Sequence, residues 1–193
     1  MSACSGAGCR LDRPQGRQSL TGGAPTAGVP ELNLIAGVAR TGAIGDGETI
    51  PWHYDEDERQ YKDRVADHPV IVGRKTHEGM TRVRGTHPVV VTSTPDAYDE
   101  ADATFVATVE DAVAAVAANG DVGWVIGGQS IYTIFLPYAD RAFVSELPET
   151  AAASRVFPYL GTNWSVTGRH DYDRFTVVEY ENADPLDPAD SDA

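Results

Sequence analysis

The chain has 193 residues and a formal net charge of −14 at pH 7. Such a field repels nucleic acid and anionic lipid, so neither is an expected partner. No run is long enough to span a bilayer, and the first thirty residues lack the apolar stretch of a secretory signal.

Met1 to Pro30 is rich in Gly, Ser, Ala and Pro and sets Arg10, Arg13 and Arg17 against Asp12. It buries too little apolar surface to offset its ordering entropy and reads as a disordered extension over 1–30. Without those three Arg and one Asp, the body carries −16. Both cysteines, Cys4 and Cys9, fall in the extension. The body therefore has no disulfide or cysteine metal site, which fits a reducing cytoplasm. Lys62 and Lys75 are its only lysines, and 18 Asp outnumber 11 Glu along the chain. An acidic, lysine-poor surface resembles those of salt-accumulating halophiles, where molar salt shortens the Debye length to ~3 Å. An ordinary acidic protein is the alternative.

The first strand is predicted at Leu32–Ala39, a near-continuous apolar run of the kind buried on both faces. A long glycine-bearing loop, Thr41 to Trp52, follows it. Asp55 with Glu58 three residues later has the pattern of a capping box and opens a helix to about Val65. Pro69–Val72 is the next strand, leading through Gly73-Arg74-Lys75-Thr76 into a short helix. Pro88–Thr92 is another strand. Thr108 with Asp111 then caps a helix over Val109–Ala118, with Val109, Val113, Val116 and Ala117 on one face. Val122–Ile126 is a strand, Gly127-Gly128 a break, and Gln129–Leu136 a helix stopped by Pro137. Arg141–Leu147 and Arg174–Glu181 are late strands, and Asn182 to Ala193, with four Asp, is a solvated tail. Strands interleaved with helices indicate an α/β fold with a largely parallel sheet.

Three stretches carry chemistry. Asp57 sits in the first turn of its helix, where the helix dipole favours a carboxylate. Alone it reads better as part of an acidic, solvated helix start, Asp55 to Glu58. The loop ending in Ile50-Pro51-Trp52 changes that reading, because long loops inside compact domains often serve as lids. Trp52 brings a large ring to the helix start, and Tyr61, one turn on, faces the same cleft. A carboxylate beside apolar walls can accept two donors from an amino-pyrimidine edge. Gly73 to Thr76 offers free backbone N–H groups, two cations and a hydroxyl to an anion, or else is a basic helix start balancing nearby acids. Gly127-Gly128 after a buried strand marks the usual ligand crevice of α/β sheets, although it is not the G-x-G-x-x-G fingerprint. His53, His68, His77, His87 and His170 lack metal-ligand spacing, so no metal site is expected.

Leu32 to Glu181 resemble dihydrofolate reductase along nearly their whole length. The residues that carry the resemblance are Leu34 to Ala39, Ile44-Gly45, Ile50-Pro51-Trp52, Asp57 and Pro69 to Thr76 with Glu78. Ile126-Gly127-Gly128 with Ile131-Tyr132, Leu136-Pro137 with Ala139-Asp140, and Phe157-Pro158 complete the set in the family's order. The lysine scarcity points to a haloarchaeal member.

The resemblance implies one domain over 31–182, and the composition after it reads as an acidic disordered tail over 183–193. It implies about eight strands, the last antiparallel, and about four flanking helices. The implied activity is NADPH-dependent reduction of 7,8-dihydrofolate to tetrahydrofolate, with antifolate-type inhibitors as further ligands and a monomer in the cytoplasm. Ile35, Gly37, Tyr61, Met80, Arg82, Ile126 and Ser145 would line the pterin site with Asp57, Ser145 standing where Thr is common. NADPH would meet Gly37, Ile44, Gly45 and Thr49 at its nicotinamide end. Lys75, Thr76 and the run Ile126, Gly127, Gly128, Gln129, Ser130, Ile131 and Tyr132 would hold its pyrophosphate. Arg74, Thr92 and Ser93 would meet its 2′-phosphate. The Gly127–Gly128 peptide is expected to be cis. Ile50 would close over the ring and Trp52 hold a water near the pterin. Hydride passes from nicotinamide C4 to pterin C6, N5 takes its proton from solvent, and Asp57 polarises the pterin without delivering that proton.

The chain departs from the family at several places. Thr86 stands where an Arg for the folate glutamate is frequent, leaving Arg82 or Arg84 as substitutes. Glu58 follows Asp57 where an apolar residue is common, Gln60 sits beside Tyr61, and Ala153-Ser154-Arg155 replaces a Gly-Asp-Thr. A pyrimidine reductase of the riboflavin-synthesis type and a non-catalytic nucleotide-binding domain are the competing readings.

Overall fold

The computed structural model describes residues 28–46, 50–151 and 154–190. Most of the expected extension, residues 1–27, and the site candidate Thr49 lie outside them. In chain order the strands are β1 (Glu31–Ala39), β2 (Ala43–Gly45), β3 (Pro69–Gly73), β4 (His87–Val91), β5 (Thr104–Val106), β6 (Val122–Gly127), β7 (Arg141–Leu147), β8 (Arg155–Val156), β9 (Trp164–Asp171) and β10 (Thr176–Asn182). The helices are α1 (Asp55–Val65), α2 (Arg74–Gly79), α3 (Val109–Asn119) and α4 (Gln129–Phe135).

Eight strands form one sheet in the order β5-β4-β3-β6-β1-β7-β10-β9, and β2 pairs with β8 in a separate ribbon. From β5 to β7 every pairing is parallel, and β10 runs antiparallel to both β7 and β9. The expectation of a mostly parallel eight-stranded sheet with an antiparallel last strand and four helices is therefore met. The apolar runs are continuous because each central strand feeds two cores. Leu32, Leu34 and Ala36 of β1 join α3 and α4 residues such as Val116 and Phe135 on one face. Ile35 joins Val65 of α1, Trp124 and Phe143 on the other. Successive side chains point to opposite faces, so a strand buried on both needs apolar residues at most positions.

The helix starts differ in how they are made. Thr108 accepts from the Asp111 N–H at 3.1 Å and caps α3 as its sequence predicts. The capping box expected at Asp55 does not form. The N-cap is Tyr54, with no side-chain cap, and Asp55 contacts His53 at 2.8 Å instead. Tertiary contacts fix this start: the Tyr54 hydroxyl donates to Glu149 at 2.6 Å, and Arg174 lies 4.3 Å from its ring centroid. Of the expected acidic tail, residues 183–190 are described. Their backbone bonds back to the body, Ala183 to Asn163 at 2.9 Å and Leu186 to Pro137 at 2.9 Å. Among the described residues no helix is long and apolar enough to cross a membrane.

Candidate active site

The functional candidates gather where the parallel strands end, the region in which open α/β sheets hold their ligands. Asp57 lies in the first turn of α1, which places its carboxylate against β1 and β7. Ser145 of β7, 1 % exposed, donates to Asp57 Oδ1 at 2.5 Å, and Gln60 Nε2 donates to the same oxygen at 3.0 Å. The other oxygen faces Gly37 of β1. A methyl group built on Gly37 would stand 3.1 Å from Asp57 Oδ2 and 3.8 Å from Trp52 Nε1, so a larger residue there would fill the space between carboxylate and indole. Tyr61, Trp52 and Ile126 are partly buried around Ile35, which is 4 % exposed. Burial pushes the Tyr61 phenol up to about 12, so it stays a neutral hydroxyl.

A second cluster adjoins the first. β3 and β6 are paired neighbours, with Val72 opposite Gly127, and each runs directly into a helix. Both helices begin on glycine, Gly73 for α2 and Gly128 for α4, and neither start has a side-chain cap. The two starts touch. A methyl on Gly128 would sit 3.4 Å from Thr76 Oγ1, and one on Gly73 would sit 2.9 Å from Ile131 Cγ1. Side by side, they offer first-turn N–H groups and the positive ends of two helices to one anion. Arg74 and Lys75 add cations at the rim, although Arg74 is engaged with Glu78 at 2.7 Å. This cradle fits the pyrophosphate of a dinucleotide. The Gly127–Gly128 peptide is cis, as expected.

The remaining candidates divide. Ile131 and Tyr132 lie in the core, 4 % and 5 % exposed, beneath the two glycines rather than in the cleft. The Tyr132 hydroxyl donates to the Ile35 carbonyl at 2.7 Å and so ties α4 to β1. Gln129 Oε1 accepts from the Val156 N–H at 3.1 Å, linking α4 to the ribbon that carries Ile44 and Gly45. Ser130 is exposed. Thr92 and Ser93 follow β4, and the Thr92 N–H donates to the Val106 carbonyl of the edge strand β5 at 2.9 Å. Met80 and Arg82 line a groove with His77, Glu78 and Glu100, and Arg82 pairs with Asp102 at 3.3 Å. Thr86 turns inward to bond the Val83 carbonyl at 2.8 Å. Ile50 is 64 % exposed and does not pack on the cleft. Sequence reasoning did not assign Gln60 or Arg64 to the site, yet both are buried behind Asp57. Their spacing from Asp57, three and seven residues, was the available signal.

The family model for dihydrofolate reductase matches residues 31–182. Dihydrofolate reductase 1 of Haloarcula marismortui is 38 % identical over 172 residues, spanning 80 % of this chain and 93 % of that protein. A dihydrofolate reductase of Haloferax volcanii is 37 % identical, covering 79 % of this chain and 84 % of its own. The solved structure of dihydrofolate reductase from Enterococcus faecalis complexed with NADP(H) and RAB-propyl superposes with a TM-score of 0.72 at 23 % identity, covering 80 % of this chain and 97 % of that one. The Asp57 carboxylate of α1 against Gly37 of β1, and two adjoining helix starts on glycine, thus occur in a chain whose sequence and fold both match one family. The chain belongs to the dihydrofolate reductase family and is an NADPH-dependent oxidoreductase.

Proposed function

We propose that the protein reduces 7,8-dihydrofolate to 5,6,7,8-tetrahydrofolate, supplying one-carbon metabolism in the cytoplasm of a halophile. The observation that carries this reading is the Asp57 carboxylate, bonded from behind by Ser145 and Gln60 with Oδ2 turned toward Gly37 and Trp52. Asp57 receives the amino and ring N–H groups of the pterin edge. Its fixed negative charge raises the basicity of pterin N5, which takes a proton from solvent. NADPH, when bound, supplies the hydride. Gly127, Gly128, Thr76 and Lys75 hold its pyrophosphate, Gly37 and Ile44 its nicotinamide end, and Arg74 with Thr92 and Ser93 its 2′-phosphate. Ile131 and Tyr132 act as packing beneath that cradle. Tyr61, Ile35, Met80 and Ile126 exclude water from the ring, Trp52 orients solvent beside it, and closure of the loop bearing Ile50 completes the enclosure.

The test is oxidation of NADPH by dihydrofolate in multimolar KCl, and its block by an antifolate. Turnover blocked by the antifolate supports the proposal. Activity only with a ribosylated pyrimidine favours the riboflavin-type reductase, and binding without turnover favours a nucleotide-binding domain.

Two further outcomes follow from the surface. Arg82 is the cation of the groove beside Met80, so Arg82→Ala raises the KM for dihydrofolate roughly three- to tenfold with kcat unchanged. Steady-state kinetics with 7,8-dihydropteroate, which lacks the glutamate and loses that difference, checks the assignment. The charge of −14 predicts salt-dependent stability. If screening recovers about 3 kcal/mol of self-repulsion, multimolar KCl raises the melting temperature by roughly 6–12 °C. Greater stability at low salt contradicts the halophilic assignment.

A further inference from the structure

We propose that Gln60 and Arg64 are positioning residues that hold the Asp57 carboxylate in one orientation, with Oδ1 bonded to the protein and Oδ2 reserved for the ligand. The inference rests on Asp57 being the pterin anchor. Asp57, Gln60 and Arg64 lie three and four residues apart on one face of α1, and that face packs against β7 and β10. It is an unusual face to bury, because Gln60 is 3 % and Arg64 8 % exposed. Buried polar groups cost stability unless bonded, and here they bond to one another in series. Arg64 Nη2 donates to Glu179 Oε1 of β10 at 3.3 Å, and Arg64 Nε donates to Gln60 Oε1 at 3.0 Å. The guanidinium also lies 4.3 Å from the Phe143 ring centroid, which holds its plane. Gln60 Nε2 then donates to Asp57 Oδ1 at 3.0 Å and approaches Ser145 Oγ at 3.4 Å.

The order of this chain has a direction. A guanidinium has donors only, so it must take the amide oxygen of Gln60. That leaves only the NH₂ group for Asp57. A flipped amide would set oxygen against carboxylate and nitrogen against guanidinium. Arg64 therefore dictates which end of Gln60 meets Asp57. Gln60 and Ser145 together fill Oδ1 from inside, and the carboxylate has one rotamer in which both bonds persist. The outcome is an anchor whose orientation is set before the ligand arrives, which reduces the ordering cost of binding.

The test uses the full chain in multimolar KCl and a 2,4-diaminopyrimidine antifolate as probe, titrated by quenching of tryptophan fluorescence. Gln60→Met keeps length and removes the donor. Arg64→Met removes the group that orients the amide. Arg64→Lys keeps a donor for Gln60 Oε1. Expected are a Kd for the probe about tenfold or more above wild type in Gln60→Met and Arg64→Met, a value near wild type in Arg64→Lys, and an unchanged KM for NADPH in all three. Melting curves report whether each variant is folded, and Gln60→Met, which leaves the Arg64–Glu179 pair intact, serves if Arg64→Met is not. Wild-type affinity in both Met variants, whatever their melting temperatures, overturns this inference alone. A wild-type protein that does not bind the probe overturns the pterin site itself, and this inference with it.

Discussion

Replacing Asp57 by Asn lowers kcat for dihydrofolate by about 10²- to 10³-fold at pH 7, the scale typical of losing one preorganised electrostatic contact in a dry site. The substitution keeps the size of the side chain, and Ser145 and Gln60 still have an oxygen to bond. What disappears is the negative charge beside the pterin. At acidic pH the substrate arrives protonated more often, so the variant recovers part of its loss. A pH series of kcat for wild type and variant checks this. A deficit that is the same at every pH assigns Asp57 to binding alone, and near-parental activity throughout removes it from the mechanism.

The second large effect is at Gly127. Its φ is +104°, outside the range that L side chains adopt readily, and a methyl there would lie 2.7 Å from the Tyr132 ring. Tyr132 cannot yield freely, because its hydroxyl is bonded to the Ile35 carbonyl and its ring packs 5.1 Å from Phe157. Overpacking and backbone strain together cost about 3 kcal/mol, which lowers the melting temperature by roughly 6–12 °C for a chain of this size. Displacement of Tyr132 reaches both clusters, so NADPH and dihydrofolate affinities fall together. Gly128→Ala separates the effects. There a methyl would meet only Thr76 Oγ1, at 3.4 Å, so the fold is kept while space beside the cradle is lost. Calorimetry with NADPH titration on both variants checks this. An unchanged melting temperature in Gly127→Ala contradicts the packing argument.

The central strands were legible because burial on both faces leaves short, near-continuous apolar runs bounded by turn residues. β1, β3, β6 and β7 lie within a residue or two of their predicted spans. β2, inside the stretch Thr41 to Trp52 that reads as a loop, was not identified, nor were β5, β8 and β9. β5 has three residues and β8 two, and the side chains of β9 are mostly exposed, so neither period nor apolarity marks them. The start of α1 misled because Asp55 and Glu58 have capping spacing, while the actual N-cap, Tyr54, is fixed by Glu149 and Arg174 more than ninety residues away. The same limit applies at the site. Asp57, Trp52 and the two glycine turns could be found from local pattern combined with family resemblance. The closeness of the helix starts at Gly73 and Gly128 depends on β3 and β6 being neighbours, which no local window encodes. Gln60 and Arg64 read as surface polar residues on an acidic helix until β7 and β10 close over them.

A crystal structure with folate and NADP⁺ bound tests the central claim most directly. Expected are the pterin amino and ring N–H groups on the Asp57 carboxylate, with the pyrophosphate against the starts of α2 and α4. A pterin seated elsewhere, with Asp57 turned to bulk water, contradicts it.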